Sequence, residues 1–188
     1  MSDSIWAASL ASFRDRVASA EPVPAGVSAA AVSATFGFGL LIKILEIASK
    51  RKDFAGDREL VGSLVKEAGK TSESLANLAD EDIAAFRDYL DCLRRKQPTG
   101  PAIRKAIEVP LNIARAAESG LLLCTHARSL IHAFVAADLG AAVALLSGAV
   151  SASLGSVEFN LQQLPEDDPY RIEVTAEFTR LSRYRAGR

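Results

Sequence analysis

Residues 136–164 read AADLGAAVALLSGAVSASLGSVEFNLQQL, and the reading of this stretch decides the fold. Between Asp138 and Glu158 it carries no charge and consists mainly of Ala, Ser, Gly, Leu and Val. Ala and Leu favour helix, and the small residues admit a neighbouring backbone at close range. A helix that is apolar on every side has to be buried on every side. The stretch therefore reads as the central helix of an all-α protein, over about residues 137–164. Asp138 stands at its entrance, where Asp is a favoured N-cap.

The rest of the chain is helical by the same criteria. Ile5, Trp6, Leu10, Phe13 and Val17 share one helical stripe, which predicts a first helix from about Asp3 to Ala20. Glu21-Pro22-Val23-Pro24-Ala25-Gly26-Val27 breaks it, and Ser28 is placed to cap a second helix reaching Lys50. Gly37 and Gly39 each cost that helix about 1 kcal/mol relative to Ala, which close packing can offset. Lys50-Arg51-Lys52 ends it, as the macrodipole favours. Asp57 caps a long amphipathic third helix to about Leu93, and a turn follows at Gln97-Pro98-Thr99-Gly100-Pro101. A fourth helix runs from about Pro101 to His132, with Pro110 expected to kink it near Ala106 to Glu108. Beyond the fifth, central helix, a last polar helix extends from Tyr170 to about Tyr184. No strand or hairpin signal interrupts the series. The expected architecture is a single-domain antiparallel bundle of five or six helices over residues 1–188, two of them fully apolar core helices.

The chain has 188 residues, 49% hydrophobic and 24% charged, with a net charge of −1. That is enough for a substantial core, and it makes no electrostatic case for nucleic acid or an anionic membrane. Cys92 and Cys124 form no ligand set with His126 and His132, so reduced thiols in a cytoplasm are expected. Charges near the start of MSDSIWAASLASFRDR leave no apolar region for an export signal. Two uncharged runs, residues 27–42 and 139–157, approach the length of a membrane span. The serines and glycines of the second, and the lack of a flanking Lys/Arg cluster, favour buried core helices.

Nucleophile and nucleotide motifs are absent: there is no G-x-S-x-G, P-loop, dinucleotide fingerprint or H-E-x-x-H. Carboxylates remain as candidates for chemistry. In Asp80-Glu81-Asp82 the first two read as a solvated face. Ala79 and Phe86 pull Asp82 toward the apolar stripe. A carboxylate half-buried in that way has its pKa raised, which suits proton transfer. Asp138 is the one charge touching two apolar elements, either as a simple cap or as a reagent. Lys50-Arg51-Lys52 is either an ordinary basic helix end or a receiver for an anion.

Five segments, in order, are shared with a known pattern. P22-V-P-A-G-V-S28 resembles the P-x-P-G-G-G-S entry of the cyclodeaminase/cyclohydrolase family. K50-R-K-D-F54 is similar to its G-K-K-K-Y. L78-A-D-E-D-I-A-A-F86 and A106-I-E-V-P-L-N-I-A114 follow. Then D138-L-G-A-A-V with G155-S-V-E-F-N-L161 resembles S-D-L-G-V-A and L-N-V-x-I-N-L. The resemblance covers about residues 5–164. It implies an all-helical homodimer acting on folates in the cytoplasm, with a tetrahydrofolate derivative as substrate and no cofactor, metal, nucleic acid or membrane.

The implied reaction is that of a methenyltetrahydrofolate cyclohydrolase, which adds water to 5,10-methenyltetrahydrofolate to give 10-formyltetrahydrofolate. The alternatives are a formiminotetrahydrofolate cyclodeaminase, or a non-catalytic helical dimer that keeps the fold. Carried across, Asp138 is the general base and Asp82 assists. Gly26 and Ser28 meet the ligand at a helix entry, Lys50 and Lys52 face its anionic end, and Asn160 supplies an amide. These groups should meet in one cleft. The chain departs from the family at Ala25 and Val27 in the glycine triplet, at Ala137 and Ser156, and in lacking an L-P-K-x-T segment between the third and fourth helices.

Overall fold

The computed structural model describes residues 4–186. Among them there is no strand. Six α-helices follow in order: α1 Leu10–Val17, α2 Gly26–Lys50, α3 Arg58–Arg94, α4 Gly100–Ala127, α5 Ala136–Leu161 and α6 Pro169–Leu181. Helices α2 to α5 each pack on the next, and α5 closes the ring against α2. The connections between them are short, so neighbours run antiparallel and the four make an up-and-down bundle. One end holds the start of α2, the later half of α3, the start of α4 and the end of α5. The other end holds their opposite termini.

The first helix is shorter than the stripe predicts, and Asp3 lies outside the described residues. Ile5–Ala7 form a single 3-10 turn, and Ser9 caps α1 by accepting from the Ser12 N–H at 3.1 Å. The stripe is split: Ile5 is buried on α3, while Leu10 is 70% exposed. The Ile5 N–H donates to Asp80 Oδ1 at 2.8 Å and the Trp6 indole to the Ala76 carbonyl at 2.8 Å. Asp80 is thus a tether for the N-terminal segment rather than a merely solvated acid. At the start of α3, Asp57 caps as expected, accepting from the Glu59 and Leu60 N–H groups.

Helix α2 begins at Gly26, with Ala25 as an N-cap that offers no side-chain bond, so Ser28 lies within the first turn and does not cap it. Gly37 has the close neighbour its cost requires: a Cβ there would sit 3.2 Å from the Ala142 carbonyl and 3.1 Å from Leu146. Gly39 has open space around it. Helix α4 runs on through Pro110 and ends at Ala127, five residues before His132. A proline at 110 cannot donate to the Ala106 carbonyl. Asn160 on α5 fills that gap, its Nδ2 donating to the Ala106 oxygen at 2.8 Å in a buried setting.

The reading of α5 needs the largest correction. It is not buried all round: Leu139, Ala142, Leu146, Ala149, Val150, Leu154 and Val157 face the bundle, while Ala137, Ala141, Ala144, Ala152, Gly155 and Phe159 are exposed. In a ring of four helices each member has an outer face, and on α5 that face is small and uncharged. Asp138 lies in the first turn, behind the cap residue Val135. Both α2 and residues 133–161 are long and apolar enough to cross a membrane by length and composition, as is common for core helices.

Helix α6 lies against α4. Asp168 caps it through the Tyr170 N–H and pairs with Arg104 at 2.7 Å. Arg115 pairs with Glu177, and Arg180 makes a two-point pair with the buried Glu118.

Candidate functional site

Where α2 begins, three parts of the bundle enclose a cleft of about 300 Å³. The approach to α2 supplies Val23, Ala25, Gly26 and Val27, α3 supplies Asp82 and Phe86, and α5 supplies Ala152, Ser156, Phe159 and Asn160. The walls are mainly apolar, with few polar groups, which is the usual make-up of a small-molecule site. Phe159 stands at the rim, 65% exposed.

Asp82 is the buried acid of this cleft, 9% exposed. It sits one helical turn before Phe86, on the side of α3 that meets the start of α2. The Ser28 hydroxyl donates to its Oδ2 at 2.6 Å. Burial pushes the carboxyl above its ordinary range, and the Ser28 hydroxyl and backbone N–H pull it partly back. Asp82 therefore does from α3 what Ala25 does not do from the chain of α2: it accepts from the first-turn donors of an uncapped helix. A carboxyl whose pKa is raised by burial is a candidate for proton transfer.

Gly26 opens directly on this space, since a Cβ on it would meet nothing within 4 Å. The backbone at the start of α2 is thus open to a ligand. Asn160 lines the same cleft, with one amide N–H committed to the Ala106 carbonyl. Its carbonyl oxygen can meet a ligand. Val27, at the family's third glycine, is 8% exposed and contributes wall rather than obstruction.

Gly26, Ser28, Asp82 and Asn160 come together, then, and Asp138, Lys50 and Lys52 do not join them within one chain. The up-and-down topology is the reason. Asp138 opens α5 and Lys50 closes α2, so both lie at the opposite end of the bundle from Asp82. Asp138 pairs with Lys43 at 3.0 Å, and Lys50 pairs with Glu46 at 2.6 Å on its own helix. Arg51, between the two lysines, holds Asp53 at 2.5 Å and lies over the exposed Phe134 ring. The expected meeting of all these groups in one cleft is corrected to two clusters at two ends.

Sequence reasoning missed Phe159 and Lys43. Phe159 stands at the Ile of L-N-V-x-I-N-L, an apolar position that carried no chemical signal. Lys43 meets Asp138 across 95 positions of sequence, which no local pattern reveals. A wider groove of about 550 Å³ lies between the end of α3 and the start of α4, around Cys92. Its charged side chains, Asp88, Asp91, Arg95 and Lys105, are all exposed. Burial pushes the Cys124 thiol up to about 11, and neither cysteine is disulfide-bonded.

A model of the formiminotransferase-cyclodeaminase family matches residues 9–180. The fold is similar to that of a formiminotetrahydrofolate cyclodeaminase from Thermotoga maritima, with a TM-score of 0.88 at 20% sequence identity, over 94% of this chain and 89% of that one. No curated protein sequence matches.

Proposed function

The chain belongs to the formiminotransferase-cyclodeaminase family, and on that premise we propose that it is a one-carbon folate enzyme, a 5,10-methenyltetrahydrofolate cyclohydrolase working in the cytoplasm as a homodimer. The observation that carries this reading is Asp82, a buried carboxyl on the floor of an apolar cleft beside an open helix N-terminus. The flat pterin enters between Phe86 and Phe159. Asp82 takes a proton from the water that adds to the methenyl carbon. It returns that proton to N5 as the carbon–N5 bond breaks, while the remaining hydroxyl proton passes to solvent as the C=O of the formyl group forms on N10. The Asn160 oxygen and the first-turn N–H groups of α2 meet complementary donors and acceptors on the ring edge.

A second reading is favoured by the Thermotoga maritima structure, a formiminotetrahydrofolate cyclodeaminase. There N10 attacks the formimino carbon and ammonia leaves, and the same carboxyl would give the leaving nitrogen its proton. Both reactions need one group that takes and gives a proton, so the cleft serves either.

The purified protein is assayed with 5,10-methenyl- and 5-formiminotetrahydrofolate, alongside a thermal-shift titration with 5-formyltetrahydrofolate. Turnover of the first substrate supports the primary reading, and turnover of the second alone supports the other. Neither turnover nor a shift in melting temperature leaves a helical protein without folate chemistry, and the proposal fails.

A further inference from the structure

Helix α2 carries four hydroxyl side chains, Ser28, Ser33, Thr35 and Ser49. Three of them bond their own helix: Ser33 donates to the Ala29 carbonyl at 2.9 Å, Thr35 to Val32 at 2.7 Å and Ser49 to Glu46 at 3.1 Å. That is the ordinary course for a hydroxyl inside a helix. Ser28 departs from it. Its hydroxyl turns away from α2 and donates across to Asp82 Oδ2 on α3, 54 positions along the chain, at 2.6 Å. Ser28 is 0% exposed, and the wall of the Asp82 cleft is made by its neighbours Gly26 and Val27 rather than by Ser28 itself. The serine therefore lies behind the carboxyl, on the side away from a ligand.

The last torsion of an Asp side chain has broad preferences, so a lone carboxyl turns easily. A hydroxyl held on Oδ2 removes that freedom. No second side chain among the described residues donates to the carboxyl, which leaves Oδ1 for the cleft. Nothing else nearby could orient the group by charge. Asp82 is the one charged residue of the cleft wall, where α2 and α5 present Gly26, Ser156 and Asn160 as their polar groups. On its own helix, Asp80 accepts from the Ile5 N–H and Glu81 pairs with Lys105 of α4 at 3.5 Å, both outside the cleft. Burial pushes the Asp82 carboxyl up, and the Ser28 hydroxyl is the largest influence drawing it back.

Resting on the folate reading, we infer that Ser28 is a positioning residue of the reaction and makes no contact with the ligand: it locks Asp82 Oδ2 to the first turn of α2 and so presents Oδ1 at a fixed place beside Gly26. A hydroxyl that donates to a carboxylate favours its ionised form, the form that takes the proton from water. The same bond sets the α3 acid in register with the helix entry that admits the ligand. Family likeness puts this serine on the substrate, and the geometry moves it one step behind.

The test compares the wild type with Ser28→Ala, Ser28→Thr and Ser28→Cys. Three quantities are read: the pH profile of kcat on 5,10-methenyltetrahydrofolate, the affinity for 5-formyltetrahydrofolate, and the carbon-13 carboxyl resonance of Asp82, identified by its loss in Asp82→Asn. In Ser28→Ala the ionised carboxylate loses its partner. Its resonance should titrate at higher pH than in the wild type, and the acid limb of the kcat profile should move the same way. On that limb kcat should fall about tenfold, the equivalent of one hydrogen bond to a charged group. Affinity should be unchanged. Ser28→Thr restores the donor and should bring both profiles back toward the wild type. Should Ser28→Ala fail to fold, Ser28→Cys offers only a weak donor in its place and should move both profiles upward. A serine of purely structural value would lower stability and leave both profiles where they are, and a variant with weakened affinity and unmoved profiles would put the hydroxyl on the ligand. Either result overturns the inference. A wild type that turns over neither folate sinks the folate reading and the catalytic role with it, whereas an unmoved Asp82 titration in an active enzyme sinks the Ser28 role alone.

Discussion

Removing the Asn160 side chain should destabilise the protein far more when residue 110 is proline than when it is alanine. In an unbroken helix the residue-110 N–H would bond the Ala106 carbonyl, and Pro110 has no N–H to give. Asn160 Nδ2 supplies the missing donor at 2.8 Å, with Asn160 only 4% and Ala106 only 5% exposed. Asn160→Ala therefore strands a buried carbonyl, at about 1–3 kcal/mol. The lost packing of the amide adds about 1 kcal/mol. In a Pro110→Ala background the new N–H makes the i to i−4 bond, and the same change should cost only about 1 kcal/mol. The double-mutant coupling is thus about 1–3 kcal/mol, well above the ~0.5 kcal/mol expected for independent sites. Urea unfolding of the four proteins, followed by far-ultraviolet circular dichroism, gives the cycle. Equal costs of Asn160→Ala in both backgrounds would refute the assignment of Asn160 as the partner of the orphaned carbonyl.

Asp82→Asn keeps an acceptor for the Ser28 hydroxyl but cannot ionise. Because burial raises the folded-state pKa of Asp82, its contribution to stability is full below the ordinary carboxylate range and is lost as pH rises through the raised value. The wild type should therefore lose stability relative to the variant as pH goes from about 3.5 to 7, measured by urea midpoints. A gap that moves the other way contradicts the burial argument. Arg180→Ala leaves the Glu118 carboxylate, itself 8% exposed, without its two-point partner. The loss should be about 2 kcal/mol, discounted because Arg180 is partly in water, with faster amide exchange confined to α6. Gly120→Ala drives a Cβ to 2.7 Å from the Phe38 ring and 2.9 Å from Leu146, whereas Gly62→Ala meets open space. The first should destabilise by about 1–2 kcal/mol and the second stabilise by about 0.5–1 kcal/mol, by thermal melts. A gain from Gly120→Ala would mean that the α2–α4–α5 packing is looser than described.

How far these features could be read without coordinates depends on the range of the signal. Helix count, the Asp57 cap and the breaks at the proline turns are local, and they were legible to within a few residues. Asp82 was legible because its apolar neighbours lie one turn away on its own helix. The shape of α5 was not: an uncharged composition looks alike whether a helix is wrapped by neighbours or bares one small-residue face. Ser28 was placed one role away from its real one, since the acceptor of its hydroxyl lies 54 positions on. The same limit governs Asn160, whose amide answers a proline on another helix. The two-ended layout of the motif residues follows from chain direction within the bundle, which segment-by-segment likeness does not encode.

The central claim is that a buried Asp82 performs folate chemistry in the cleft at the start of α2. The most direct test is the rate of 5,10-methenyltetrahydrofolate hydrolysis by the wild type and by Asp82→Asn, with 5-formyltetrahydrofolate affinity measured on both. The account predicts catalysis well above the buffer rate in the wild type, a loss of about 10²–10⁴-fold in the variant, and an affinity changed little. A variant that turns over as fast as the wild type while binding equally well would show that Asp82 is only the cap of α2, and would contradict the claim.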